Sequence, residues 1–477
     1  MSSIKVYRRK KQDRKKAEIL PGMKDIGIGK DKYWEYFFEK SKKLARNFGF
    51  GRMKTPILEE RWLFEKGTGQ KTELYDKKMY DFLDSRSGKK IALRPEITPS
   101  IVRSYIEQEM YKLIQPVKLY YLGPIFRYEE KVGHHQINQF GLEIIGSEKA
   151  ISESELILYA DCLFKDLGLK IDFKLNSLGC NRCRFFYLKK LTNFLKKNRK
   201  NFCPECRKHF DSNPLRVFHC LNERCREVLK NAPQMINSLC AKCQAHFTKF
   251  LEFLDIMEIP YQLDPYLIGQ TSYYSGPVYA IFISEEQKKI NERLAQAAEK
   301  AAALLIAETL SNKPEEQNEI KQPLPETKKK QPDDVCLGVG GRYDHLVENL
   351  GGPSTPACGL AFNINQIVAE SIKAKIRVNA HRKNSIFLAR AGELAIAEAL
   401  RVKKFLIEAG YQVFDALEQE SLTAQLALAS KFTARFILLM GQQEVKDQTI
   451  IFRDLELNSQ ETLNREKLID ELKKRLK

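Results

Sequence analysis

The sequence predicts an α+β protein: an antiparallel sheet flanked by helices, a cysteine-rich insert, and a small C-terminal α/β domain. Three observations predict it. In the first third of the chain, extended apolar stretches bounded by Gly and Pro follow one another with few helical patterns between them, which points to a largely antiparallel sheet. Eight of the eleven cysteines lie between 180 and 243, in a segment otherwise rich in Lys and Arg. Past residue 384, short apolar runs alternate with helical patterns, as in an α/β unit with a mixed or parallel sheet.

The elements run as follows. Residues 5–16 carry Lys5, Arg8, Arg9, Lys10, Lys11, Arg14, Lys15 and Lys16 against one acid, and charge this dense predicts a disordered basic arm over 1–16. Trp34, Phe37, Phe38, Leu44 and Phe48 recur at helical spacing, and Gly49 and Gly51 end that helix. MKTPILEE (53–60) is extended, with Pro56 suited to an edge or interface strand. KIALRPEIT, VKLYYLGPIFRYEE, NQFGLEIIG and, past the insert, VYAIFIS read as further strands. An alanine-rich helix follows over about 284–310. Its SEEQ start offers Ser284 as cap and Gln287 as the reciprocal partner of a capping box. Residues 311–334 are rich in Pro and charge and predict a disordered loop. CLGVGGRYDHLVENLGG reads as a glycine turn leading into a helix. A composition shift at 375–384 marks a boundary, beyond which SIFLAR, GYQVFDA, ARFILLMG and QTIIFRD are strands.

At 477 residues the chain is too long for one ordinary core, and 43% hydrophobic composition excludes a disordered protein. No run approaches the ~18 apolar residues of a membrane span, and no signal-peptide pattern follows the start; a cytoplasmic protein without a membrane partner is expected. The net charge of +19 favours a polyanionic partner, since counterion release drives binding to phosphate backbones.

CNRC (Cys180, Cys183), CPEC (Cys203, Cys206) and CAKC (Cys240, Cys243) are C-x2-C knuckles, and CLNERC (Cys220, Cys225) is a looser pair. Four thiolates in a tetrahedron suit zinc, and each pair places two sulfurs on one metal. A nested arrangement is expected: Cys180/Cys183 with Cys240/Cys243, and Cys203/Cys206 with Cys220/Cys225. His209 and His219 are reserve ligands, and buried free thiols are the alternative. A structural zinc would hold a small basic insert together.

The motifs, taken in order, resemble the histidyl-tRNA synthetases of class II, over nearly the whole chain from about residue 17. KTPILEE is similar to class II motif 1, LRPEITPS to the family's Arg-Pro-Glu-x-Thr strand, and LGPIFRYEE with NQFGLEIIG to motif 2. GGRYDHLVENLGGPSTPACGLAF resembles the approach to motif 3. NSLGCNRC and NPLRVFHC resemble the family's insert. SLTAQLALASKFTARFILLMGQQEV, with Gln425, Gly441 and Glu444, resembles its anticodon-binding domain. The resemblance implies a catalytic domain split between 17–177 and 246–375, the insert at 178–245 and the anticodon-binding domain at 384–477. It implies a six-stranded antiparallel catalytic sheet, and a homodimer with Pro56 at the interface. It implies ATP with Mg2+ as substrate, histidine and tRNA as partners, and a two-step ligation through histidyl-adenylate.

Residue by residue, the resemblance implies that Glu96 and Thr98 hold the histidine ammonium end. Arg127 clamps the ATP α-phosphate and the substrate carboxylate, and Glu129 lies near the adenine. Gln139 and Glu143 belong to the amino-acid pocket, and Tyr273 and Tyr274 close over the imidazole. The sequence also departs from the family. In LIGQTSYY, Gly269 stands where an arginine would, and Gln270, Thr271 and Ser272 replace the next three residues. In NINQ, Gln366 stands for the motif 3 arginine and Asn365 for its acidic neighbour; His135 falls near a second motif 2 arginine. Joining a carboxylate to a polyanion needs fixed cations, so these departures imply slowed adenylation unless Arg342, Arg103 or a lysine of 284–334 supplies the charge. Two readings stay open: a working ligase with a rearranged cation set, and an impaired paralogue that binds tRNA or histidine as a regulator. A regulator of histidine biosynthesis shares the catalytic fold, but residues 384–477 argue against it.

Overall fold

The computed structural model describes residues 17–68, 79–128, 134–269, 273–311, 335–378, 385–417, 419, 421–432 and 434–475. The basic arm, the loop at 312–334, Glu129 and residues 270–272 lie outside the described residues. The chain divides into two units, Met1–Ile376 and Arg377–Lys477.

In the first unit, six antiparallel strands form the body of one sheet: β5 (Val117–Phe126), β6 (Gln136–Ile145), β11 (Ala357–Asn363), β10 (Cys336–Arg342), β9 (Pro277–Ile283) and β7 (Ile171–Ser177), in that spatial order. Two short edge strands, β1 (Gly51–Arg52) beside β5 and β8 (Tyr261–Leu263) beside β7, extend it in parallel to eight. The extended motif 1 segment contributes only β2 (Leu58–Glu60). It joins a separate three-stranded sheet with β4 (Lys90–Leu93) and β3 (Asp81–Leu83). Pro56 has no N–H to pair, and the backbone carbonyls of Thr55 and Pro56 both accept from the buried Arg94 guanidinium at 3.1 Å.

Side-chain alternation sorts the sheet into two faces. On β6, Phe140, Leu142 and Ile144 enter one core together with Tyr120, Phe173, Leu175, Tyr279, Ile281, Leu360 and Phe362. That face is covered by α1 (Asp31–Asn47), α3 (Ile151–Leu167), α5 (Ala241–Ile256) and α7 (Ile364–Lys373). Trp34, Phe37 and Ala45 of α1 are buried there, and Phe38, Leu44 and Phe48 pack at its margin, as the helical spacing requires. The intervening residues Gln139, Gly141 and Glu143 point to the opposite face, where Tyr121, Tyr273, Tyr274 and Tyr343 gather under α2 (Thr98–Glu107).

Two segments differ from the sequence expectation. CLGVGGR is the central strand β10 rather than a turn. Its glycines are required by close approach: a Cβ at Gly340 would stand 2.2 Å from the Tyr279 ring, and one at Gly341 2.9 Å from Tyr274. The Arg-Pro-Glu-x-Thr segment is not a strand throughout. The strand stops at Leu93, and Thr98 opens α2 with Pro99 in its first turn, a position where the missing N–H costs nothing.

The insert leaves β7 and returns through α5. Its first helix is α4 (Asn181–Lys197), and its own small core contains Tyr187, Leu191, Leu195, Phe202, Phe210, Val217 and Leu229. Beyond β9, α6 (Glu285–Ser311) begins as predicted with Ser284 Oγ accepting from Gln287 N at 3.1 Å. The capping box is half made, because Gln287 Oε1 accepts from Lys170 N at 3.0 Å instead of from its own cap.

The second unit is a mixed five-stranded sheet in the order β13 (Gln412–Asp415), β12 (Ser385–Arg390), β14 (Phe436–Met440), β15 (Thr449–Asp454), β16 (Ser459–Asn464), with the first three parallel and the last two antiparallel. Gln425 is buried and donates to Arg390 O at 2.8 Å and Gln419 O at 3.0 Å. Gly441 N donates to Glu444 Oε2 at 2.8 Å. These three residues hold the unit's own loops. Among the described residues, no helix is long and apolar enough to cross a membrane.

Candidate active site

The site is built where the turn before α2, the odd-numbered residues of β6 and the segment ahead of β9 meet. Thr98, at the start of α2, donates from Oγ1 to Glu143 Oε1 at 2.8 Å, and the Tyr343 hydroxyl donates to Glu143 Oε2 at 2.5 Å. The Tyr273 hydroxyl donates to Glu96 Oε2 at 3.0 Å. The rings of Tyr273 and Tyr274 meet edge to face at 5.1 Å, and Tyr273 lies 5.9 Å from Tyr343. Thus Glu96, Thr98, Glu143, Tyr273 and Tyr274 share one buried pocket. Gln139, partly buried, stands two steps along β6 on the same face, opposite Gly123 and Asn363.

Glycines make the room. A Cβ at Gly141 would lie 2.2 Å from the Tyr121 ring, and one at Gly359 only 1.7 Å from Glu143 Oε2. The Glu143 carboxyl is pushed up to about 8 by burial, against hydrogen bonds from Tyr343 and Thr98 that favour its charged form; nearby Glu96 adds to the rise. The pocket therefore holds two acids, and burial favours the neutral form of Glu143. Such a pair takes up a ligand that carries N–H donors and positive charge.

Arg127, at the end of β5, donates from Nε to Pro95 O at 2.7 Å, one residue before Glu96. Among the described residues no carboxylate pairs with it. The other arginines considered are engaged. Arg342 is buried and makes a two-point ion pair with Glu153, Nε to Oε1 at 2.6 Å and Nη2 to Oε2 at 2.8 Å. It also contacts Asp344 at 2.9 Å, and His246 meets the same Glu153 at 2.8 Å. Burial alone would raise Glu153, but the hydrogen bonds from His246 and Arg342 hold it below the usual carboxylate range. Arg103 is tied to Glu59 and Glu107, each at 2.7 Å. Neither supplies a free cation, because each neutralises acids of its own.

The departures have a structural form. Gly269 has φ of +71°, and a Cβ there would lie 2.7 Å from the Tyr274 ring. The backbone is shaped for glycine, so no side chain at 269 reaches the site without strain. Gln366 sits in the first turn of α7, its backbone N donating to the cap Asn363 Oδ1 at 3.2 Å. Asn365 Oδ1 accepts from Asn138 N on β6 at 2.7 Å. His135 is not turned to a free site: its Nδ1 meets the Tyr80 hydroxyl at 2.7 Å, its ring packs 4.8 Å from Tyr128, and its N donates to Gly22 O at 2.6 Å.

The eight insert cysteines form two groups. Within each, the sulfurs of Cys180, Cys183, Cys240 and Cys243, and of Cys203, Cys206, Cys220 and Cys225, all lie within 4.8 Å of one another. Cys180, Cys203 and Cys240 are each the N-cap of a helix, so each faces the positive end of a helix dipole. The Cys203 and Cys240 thiols are lowered to about 7, first by the backbone N–H groups of Cys206 and Cys243. His209 pairs with Glu205 at 3.3 Å and belongs to neither group.

Sequence reasoning missed Tyr343, Tyr121 and Arg94 as members of the site and its frame. Tyr343 stood in the quoted Gly-Gly-Arg-Tyr-Asp run, and its place beside Glu143 follows only from the pairing of β10 with β11 and of β11 with β6.

An antiparallel six-stranded sheet backed by helices, with two buried carboxyls on one face and an arginine just past β5, is the catalytic architecture of class II aminoacyl-tRNA synthetases. The histidyl-tRNA synthetase family profile matches residues 22–296, and the anticodon binding domain profile matches residues 371–475. A histidine–tRNA ligase of Natranaerobius thermophilus is 32% identical over 443 residues, covering 92% of this chain and 94% of that protein. One of Thermosipho melanesiensis is 31% identical and covers 94% and 97%. The crystal structure of apo S. aureus histidyl-tRNA synthetase superposes with a TM-score of 0.73 at 25% identity, covering 96% of this chain and all of that one. The chain belongs to the histidyl-tRNA synthetase family.

Proposed function

We propose that this protein is a histidine–tRNA ligase. The observation that carries the reading is the buried Glu96–Tyr273 and Thr98–Glu143–Tyr343 network, with Arg127 anchored one residue away. In this reading Glu96 and Thr98 receive the α-ammonium group, and Glu143 with Gln139 receives the imidazole. Tyr273 and Tyr274 close the pocket and exclude water. Arg127 holds the histidine carboxylate and the α-phosphate of ATP together, where negative charge accumulates. The carboxylate oxygen bonds to the α-phosphorus and pyrophosphate leaves. The terminal ribose hydroxyl of tRNA then attacks the adenylate carbonyl, loses its proton, and AMP departs. ATP enters with Mg2+, whose charge adds to that of Arg127. Attachment of histidine, and of no other amino acid, to unfractionated tRNA tests the reading; charging with a different amino acid would refute it.

The cations at 269 and 366 are absent from the side chains, so the first step runs with fewer fixed charges than the family pattern provides. Gln366→Arg restores one charge at a helix start that already accommodates a long side chain. It is expected to lower the KM for ATP about 5-fold, or ~1 kcal/mol, the difference between a neutral and a charge-assisted hydrogen bond. Gly269→Arg is expected to give no gain, because of its backbone. Pyrophosphate-exchange kinetics on the two variants check both outcomes.

Two partners follow from the surface. The net charge of +19, the basic arm and the C-terminal unit suit tRNA bound through its phosphates in the cytoplasm. The three-stranded sheet beside motif 1 leaves Ile57, Leu58, Phe82 and Leu83 exposed, Phe82 at 50% and Leu83 at 64%. A patch of this kind is expected to close against a second copy. Phe82→Asp with Leu58→Asp should shift the protein from dimer to monomer in light scattering; an unchanged mass would remove this face from the interface.

A further inference from the structure

We propose that Cys180, Cys183, Cys240 and Cys243 bind one zinc ion whose coordination positions the tyrosine segment that closes the histidine pocket; the histidine part rests on the function proposed above. Four thiolates around zinc, with Zn–S near 2.3 Å, set sulfur–sulfur edges of about 3.8 Å. Cys180 and Cys183 have sulfurs 3.6 Å apart, and in the second group Cys203 and Cys220 are 3.9 Å apart. These separations are far beyond the ~2.05 Å of a disulfide, and all eight cysteines are free. Backbone N–H groups also reach sulfurs in each group, among them Cys240 N to Cys183 Sγ at 3.0 Å and Cys203 N to Cys225 Sγ at 3.2 Å. Such bonds orient and stabilise thiolate ligands.

The two groups differ in what they touch. The outer group sits at the junction of the insert with β7. Leu178 N donates to Gly276 O at 2.7 Å, and Gly276 N donates to Gly179 O at 3.1 Å. Arg184, the residue after Cys183, donates from Nη2 to the carbonyl of Tyr274. On the other side of the same segment, Asn176 Nδ2 donates to Leu267 O at 2.9 Å. The stretch 178–184 that carries the first knuckle is thus bonded directly to residues 274–276. Gly179 is pinned between Cys183 and Leu239: its φ is +60°, and a Cβ would lie 2.6 Å from Cys183 Cβ. A metal holding Cys180 and Cys183 against Cys240 and Cys243 fixes that turn, and through it the carbonyl of Tyr274 and the hydroxyl that Tyr273 gives to Glu96. The inner group, Cys203, Cys206, Cys220 and Cys225, packs in the same insert core, but among the described residues its hydrogen bonds reach no residue of 274–276, so it serves as an internal control.

Three variants separate the roles: Cys240→Ser with Cys243→Ser, Cys220→Ser with Cys225→Ser, and Arg184→Met. Metal content and Co2+ titration give the stoichiometry. Amide exchange at Leu178 and Gly276, and calorimetric histidine binding without ATP, give the coupling. The unaltered protein should carry two zinc ions per chain. The outer double variant should carry one, exchange at least 10-fold faster at Leu178 and Gly276, and bind histidine about 10-fold more weakly. The inner variant should also carry one, with neither change. Arg184→Met should keep two ions, so any loosening there comes from the lost bond rather than from a failure to fold. Absence of metal at the outer group, or its loss without effect on exchange, overturns the proposal. Two zinc ions with coupled exchange but no histidine binding in any protein would uphold the clamp and refute the ligase reading.

Discussion

Arg127→Ala is expected to lower the rate of histidine-dependent adenylate formation by about 10²–10³, or roughly 3–4 kcal/mol of barrier. The effect should lie mainly in kcat, because charge builds up as the carboxylate and the α-phosphate approach. The expectation is large for a reason specific to this chain. Position 269 is glycine with φ of +71° and position 366 is glutamine. Arg342 is locked to Glu153 and Asp344, and Arg103 to Glu59 and Glu107. Arg127 has no carboxylate partner among the described residues, and its Nε on Pro95 O at 2.7 Å sets its guanidinium in place. Arg127→Lys should recover only part of the loss, since a point charge does not reproduce a planar two-point clamp. Single-turnover adenylate formation at saturating histidine checks both variants. A loss confined to KM would mean that Arg127 binds substrate without favouring the transition state.

Glu143→Gln is expected to weaken histidine binding by about 10–100-fold while leaving the fold intact. Glutamine matches the shape of the protonated acid and can still meet Thr98 and Tyr343, so the cost falls on the ligand's charge-assisted bond, about 1.5–3 kcal/mol. The pH dependence has a definite sign. The Glu143 carboxyl is raised to about 8, and a free imidazole titrates near 6.5. The complex shares one proton between carboxyl and imidazole. Affinity should be nearly flat from about pH 6.5 to 8. Below about 6.5 a proton must be released on binding, and above about 8 one must be taken up, so affinity falls on both sides. The raised value also means that stability declines as pH climbs from the ordinary carboxyl range toward 8, because the unfolded chain gives up this proton first. Glu143→Gln should remove both the upper limb of the binding profile and that part of the stability slope. Calorimetry across pH on the two proteins checks this.

Much of the site was legible because it is assembled from local signals. Glu143 and Gln139 were named through the resemblance carried by NQFGLEIIG, and the strand register puts both on one face of β6. The spacing of the cysteines indicated four short pairs, and the fold brings them together in the nested arrangement that was expected. What was not legible depended on contacts distant in sequence. CLGVGGR reads as a turn because glycine weakens strands, yet it runs through the middle of the sheet, where Tyr279 and Tyr274 leave no room for a side chain. SQETLN is a strand only because β15 pairs with it; it is largely exposed and shows no apolar alternation. Arg342 looked like a spare cation in sequence, and only the fold brings Glu153 onto it, with His246 on the same carboxylate. Gly269 read as a lost charge, and its φ of +71° shows a backbone suited to glycine there.

This pocket is expected to activate histidine with Arg127 as its principal fixed cation. ATP–pyrophosphate exchange dependent on histidine tests it most directly. The expected exchange saturates with histidine, is not supported by the other amino acids, and collapses in Arg127→Ala. A protein that binds histidine and tRNA but catalyses no exchange, or one whose exchange survives Arg127→Ala unchanged, would contradict it.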